Sequence, residues 1–95
     1  MRVTFDPGKR ARTLSERGLD FADAPLVFDG PHRTYVDDRQ DYGEERLLTI
    51  GYLDGRMVFV AWTERDGAMR VISMRKANAR EIRDNEARLR PRRGG

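Results

Sequence analysis

From Gly43 to Arg75 the hydrophobic positions fall into three runs, separated by two Asp-Gly pairs. The first run ends at Tyr52-Leu53, the second spans Arg56 to Arg65, and the third continues from Ala68. Val, Ile, Thr, Phe, Tyr and Trp crowd these runs, and such side chains suit a pleated, half-buried surface. Asp54-Gly55 and Asp66-Gly67 are hairpin signals, because a two-residue turn that matches strand twist needs positive φ. The pattern predicts an antiparallel meander over residues 45–75. Across the first turn Leu53 meets Arg56, Tyr52 meets Met57, Ile50 meets Phe59 and Leu48 meets Ala61. The opposite face then carries Leu47, Thr49, Gly51, Val58, Val60, Trp62 and Glu64. Both faces are apolar at mid-strand, so both are expected to be covered at least in part. Trp62 reads as core, with base stacking as the alternative.

The second hairpin leaves two registers open. A two-residue Asp66-Gly67 turn puts Arg46, Thr63, Arg65 and Arg70 on one face, with Ser73 and Arg75 on the other. A three-residue loop with Gly67 as a bulge glycine moves Ser73 and Arg75 to the face of Thr63. The choice decides which arginines can meet on one phosphate.

Flanking segments read as follows. Arg2–Phe5 is a short strand. Asp6-Pro7 opens a helix over Pro7–Arg17, since aspartate caps free N–H groups and proline loses nothing at the first position. Gly18 stops it. Leu19–Phe28 predicts a second short helix, which Pro25 forces to start late or to kink; Phe21, Leu26 and Phe28 are its expected core anchors. His32–Val36 predicts a strand whose apolar part is Tyr35 and Val36, and an acidic loop follows to Gly43. Asn78 with Glu81 resembles a capping box opening a helix over Ala79–Leu89, with Ile82 and Leu89 on its apolar stripe. The expectation is one α+β domain over residues 1–90 and a basic flexible tail over 91–95.

Charge changes this picture more than composition does. The net charge is +3, but residues 1–18 carry +3, residues 19–45 carry −6 and residues 46–95 carry +6. Only Lys9 and Lys76 are lysines among the basic residues. Arginine's planar fork suits bidentate phosphate contact, so nucleic acid is a natural partner for the basic half; an ordinary solvated arginine-rich surface is the alternative. The chain has no cysteine, which excludes disulfides and thiolate metal sites. No signal peptide is recognisable, and no apolar run approaches the roughly 20 residues of a membrane helix. A cytoplasmic location and no membrane partner are expected.

No Ser-His-Asp or Cys-His set, Walker loop or H-E-x-x-H motif is present. The lone His32 follows a turn proline and reads as structural or solvated. The acidic loop lacks the alternation of a calcium site. What remains is arginine chemistry. RNA can be cut without metal when its 2′-OH attacks the adjacent phosphate. Such a site must hold the backbone in line, stabilise charge on the phosphorane and move a proton. Clustered cations meet the first two demands; Glu64, Glu45 or Tyr52 could meet the third. No cofactor is expected.

Five segments, in order, resemble the BrnT ribonuclease toxins. Phe5-Asp6-Pro7-Gly8-Lys9 is similar to their F-D-P-x-K opening, and Gly18–Ala24 to a G-[VIL]-x-F-x-x-A segment. Gly43–Gly51 resembles G-E-x-R-x-x-x-I-G. Thr63-Glu64-Arg65 resembles T-x-R, and Arg70–Ala77 followed by Glu81 resembles R-I-I-S-A-R-x-A-x-x-x-E. The resemblance implies a RelE-like α+β fold: a short N-terminal strand, two N-terminal helices, an antiparallel sheet and a C-terminal helix. It implies metal-independent RNA cleavage that inhibits translation. It also implies a BrnA-like antitoxin with a ribbon-helix-helix DNA-binding domain, operator DNA being reached only through that complex. By position, Arg65 and Arg75 are the first expected catalytic residues, with Glu64 and Ser73 beside them. Lys9, Arg46, Arg70 and Lys76 are the expected substrate-binding residues. Members often carry Asn and Lys-His before the helix-ending glycine; here Thr13 and Glu16-Arg17 stand there. A non-enzymatic RNA- or antitoxin-binding module is therefore the alternative function.

Overall fold

The computed structural model describes residues 2–39 and 41–89. Strand β1 (Val3–Thr4) leads into helix α1 (Pro7–Arg17), and a 3-10 helix follows over Phe21–Asp29. Strands β2 (His32–Asp37), β3 (Arg46–Leu53), β4 (Arg56–Arg65) and β5 (Ala68–Lys76) come next, and helix α2 (Ala79–Leu89) closes the described chain. One five-stranded sheet results, in the order β1-β5-β4-β3-β2. The sheet is mixed: β1 runs parallel to β5 while the other pairs are antiparallel. The expected meander is thus its centre, flanked by one short parallel strand and one antiparallel edge strand.

Local chemistry explains the element ends. Asp6 accepts from the Lys9 amide, and the Gly18 amide closes α1 on the Leu14 carbonyl. In α2 the capping box is complete: Glu81 Oε1 accepts from the Asn78 amide, and Asn78 Oδ1 accepts from the Glu81 amide. Both Asp-Gly turns place both residues at positive φ, between 51° and 76°. That is the turn whose twist matches paired strands. Gly51 is required for another reason: a Cβ there would sit 2.5 Å from Val27 Cγ1.

The second N-terminal helix differs from expectation. It is a 3-10 helix opened by Asp20, whose side chain accepts from the Ala22 amide, with Pro25 inside. At three residues per turn, one stripe is i, i+3, i+6. Phe21, Ala24 and Val27 occupy that stripe and are buried. Leu26 falls off it and is 53% exposed, so it is not the anchor the sequence suggested. Val36 and Leu14 are also exposed. The expected basic tail over 91–95 lies outside the described residues.

The sheet's two faces are filled unequally. Val58, Val60 and Trp62 join Phe21, Ala24, Val27, Met69, Val71 and Met74 in the main core, on the side of the 3-10 helix. Trp62 is buried there, and its Nε1–H donates to Thr49 Oγ1 at 2.9 Å. The other face holds a smaller cluster, Ile50, Met57 and Phe59 under Leu89 of α2.

Candidate active site

The site is built by a one-residue irregularity in β5. The Asp66-Gly67 turn is a two-residue turn, with Arg65 facing Ala68. Pairing stays regular to Trp62–Val71, then skips: Ala61 pairs with Ser73, Val60 with Met74 and Phe59 with Arg75. Ile72 is the extra residue. A bulge of this kind shifts side-chain parity by one. Neither expected register is therefore complete. The turn is the short one, yet Ser73 and Arg75 share the face of Thr63, Arg65 and Arg70, because the bulge lies within the strand.

On that face a trough of about 360 Å³ opens beside α2, lined by Leu48, Phe59, Ala61, Ser73 and Arg75, with Val36–Arg39 and Glu81 at its rims. Ala61 and Ser73 are small, which leaves the trough its depth. The Arg75 guanidinium stacks on Phe59, 4.4 Å from the ring centroid. Glu81 accepts two hydrogen bonds from it, both 2.7 Å. This forked pair, together with the Asn78 amide, holds the Glu81 carboxyl down at about 2. The same pair, chiefly through its hydrogen bonds, raises Arg75. Across the trough Arg39 grips the buried Asp37 carboxylate at 2.8 and 2.9 Å and lowers its pKa. Asp38 also lines the trough and has no ion-pair partner among the described residues.

The expected site residues divide. Ser73 and Arg75 come together in the trough. Arg65 stands six positions along β4 from Phe59, the residue opposite Arg75; at about 3.3 Å per residue that is about 20 Å away. There it pairs with Glu44 at 3.0 Å. Glu64 is exposed and points to the opposite side of β4 from Arg65. Arg70 faces Thr63, and Lys76 ends β5 opposite Val58. Lys9 is exposed on α1, and Arg46 stacks 3.7 Å above the Tyr42 ring centroid. Neither Glu45, Tyr52 nor Glu64 lines the trough.

Sequence reasoning passed over Arg39, Asp37, Asp38 and the Phe59 ring. Glu81 was legible as a cap, but not as the partner of Arg75. Arg17, at the position where the resemblance implies a histidine, donates to the Met74 carbonyl at 2.7 Å, next to Arg75. No group of three or more His, Cys, Asp or Glu side chains among the described residues forms a metal-binding cluster. No described helix is long and apolar enough to cross a membrane.

Comparison with known proteins gives the family. Residues 5–81 match the model of the family described as the ribonuclease toxin BrnT of a type II toxin-antitoxin system. A search of curated proteins found no match. The family match spans most of the chain, and the chain belongs to that toxin family.

Proposed function

We propose that this BrnT-family chain is an endoribonuclease that cleaves RNA without a metal ion and thereby inhibits translation. Arg75 and Ser73 are the centre of its site. The carrying observation is the forked, ring-backed Arg75 beside Ser73 at the floor of an open trough. A guanidinium fixed before substrate arrives stabilises the phosphorane without reorganising during the reaction. The stacking on Phe59 and the Glu81 pair supply that fixity.

The reaction forms the O2′–P bond and breaks the P–O5′ bond, leaving a 2′,3′-cyclic phosphate. Asp37 and Glu81 are engaged by arginines. Asp38 is the trough carboxylate left to take the 2′-OH proton, while the departing 5′ oxygen takes one from solvent on the open side. Ser73 offers its hydroxyl to a phosphate oxygen. Arg65, some 20 Å along the sheet, meets a more distant phosphate of the same strand, with Arg70 between; Glu64 has no part in the step. The α+β arrangement serves as a RelE-like scaffold, working in the cytoplasm. A BrnA-like antitoxin with a ribbon-helix-helix domain holds the enzyme in check and links it to operator DNA.

The test is purified protein and a defined RNA, with and without EDTA. Cleavage should persist in chelator, leave 2′,3′-cyclic phosphate ends and fall at least about 100-fold in kcat with Arg75→Ala. Cleavage that needs added metal contradicts the mechanism. RNA binding with no products makes the chain a non-catalytic binding member of its family.

A further inference from the structure

Ser73 borders a second cavity. It is also about 360 Å³ and lies on the α1 side of β5, lined there by Lys9, Arg12 and Arg17. Arg46, two strands away on β3, also reaches it, beside Ile72 at the bulge. A further cavity is shared by Arg17 and Arg75. The trough and this basic cavity therefore adjoin at the bulge, with Ser73 in both walls.

The basic cavity is built for an anion. Lys9, Arg12 and Arg17 follow helical spacing and share one face of α1. That helix buries none of its residues, so its cations are not there to cover core. Among the described residues, Glu16 is the only acidic one in the lining. Neither Lys9 nor Arg12 has a carboxylate partner among the described residues. Arg17 is pinned by its bond to the Met74 carbonyl. Arg46 adds a fourth cation to the lining, and its Nε is buried with no hydrogen-bond partner among the described residues. A desolvated guanidinium donor without an acceptor is costly, and native structures rarely leave one unexplained.

We propose that this cavity is a second phosphate subsite, which holds the RNA backbone next to the scissile phosphate in the Arg75 trough. The strand passes over the edge of β5 at the Ile72 bulge, with Arg46 and Arg17 closest to the crossing and Lys9 and Arg12 beyond. Arg46 contributes its charge to the crossing as part of the cavity wall. The inference rests on the trough being the cleavage site. It adds that cleavage selects for RNA long enough to occupy α1, by contacts to backbone and not to base edges.

The experiment compares wild type with Lys9→Ala/Arg12→Ala, which alters only exposed helix positions. Two readouts are used. The first is the ratio of kcat/KM for an oligoribonucleotide to that for a dinucleotide carrying the scissile phosphate alone. The double variant should lower that ratio ten-fold or more, mostly through KM. The second is binding of the same oligonucleotide with a 2′-O-methyl group at each ribose, which cannot be cleaved. Its logarithmic salt slope should fall by about 1.4, at about 0.7 per lost single-strand phosphate contact. This binding arm reads the subsite even if the chain cleaves nothing, so the two proposals fail separately. An unchanged ratio and an unchanged slope overturn the subsite. So does RNA binding that is unchanged while affinity for the antitoxin drops, which assigns the α1 face to a protein partner.

Discussion

On β4, Val58, Val60 and Trp62 face one side of the sheet, and Met57, Phe59 and Ala61 face the other. The first side is sealed by β1, the 3-10 helix and residues of β5 into one apolar cluster. The second is covered only in part, by Leu89 of α2 and by Ala77 just before that helix, and keeps an open trough beside that cover. The polar groups on the two sides differ as well. Thr49 on the sealed side accepts from Trp62 and bonds Thr34. On the open side Arg75 remains 45% exposed in its side chain and is held by a carboxylate. One face stabilises the fold, and the other presents charge that solvent can reach. The Ile72 bulge makes the division possible. It leaves Met69, Val71 and Met74 on the sealed side while turning Ser73 and Arg75 to the open one.

Removing that bulge should break the contrast most severely. Inserting one residue between Ala61 and Trp62, opposite Ile72, restores a regular ladder, which turns either the Trp62 and Val71 side chains or the Ser73–Arg75 pair onto the wrong face. An unpaired arginine forced into the sealed core costs several kcal/mol, roughly 3–5 by analogy with broken buried ion pairs. Thermal denaturation should show loss of a cooperative transition, or a midpoint lowered by more than about 10 °C. A variant that melts like the parent and cleaves RNA would show that the bulge is not what sorts the faces.

A milder comparison truncates one buried side chain on each side. Met69→Ala on the sealed side should cost about 2–5 kcal/mol. Leu89→Ala on the open side should cost under about 2 kcal/mol, because the loss is capped by the local docking energy of α2. Equal costs in urea denaturation would mean that α2 is as integral to the fold as the 3-10 helix.

The smallest expected effect concerns pH. Glu81 is held at about 2, below its ordinary 4.5. Its pairing with Arg75 therefore contributes stability that is full above about pH 4.5 and is lost as pH falls toward 2. Glu81→Gln should flatten the stability profile across that window while leaving the midpoint near neutrality only slightly lower. A parent-like acid profile in the variant would place the acid-sensitive group elsewhere.

Much of the fold was legible because its signals are local. Asp6-Pro7, Gly18 and the Asn78–Glu81 box set the bounds of both α-helices, and the Asp54-Gly55 turn fixed the first hairpin's register. The second hairpin misled because its turn is regular and its irregularity lies five residues further on. A clue was present: Val71-Ile72 places two apolar residues in succession between alternating Arg70 and Ser73. Leu26 misled because a helix of unknown pitch has no defined stripe; at three residues per turn it faces water. The site was half readable. Ser73 and Arg75 stood out by resemblance, but Arg65 was drawn to them by motif when the strand holds it at the far end. Arg39 and Asp38 were beyond reach, since they come to the trough from the far end of β2, three places from β5 in the sheet.

The central claim is that the bulge-made trough, not the arginine set as a whole, cleaves RNA. Its most direct test is single-turnover cleavage of one defined RNA by Arg75→Ala and Arg65→Ala, each matched to the parent in circular dichroism and melting. Arg75→Ala should lose about 100-fold or more in the rate of the chemical step. Arg65→Ala should keep that rate within a few-fold and weaken RNA binding instead. Equal losses in the chemical step, or a larger loss with Arg65→Ala, would contradict the account.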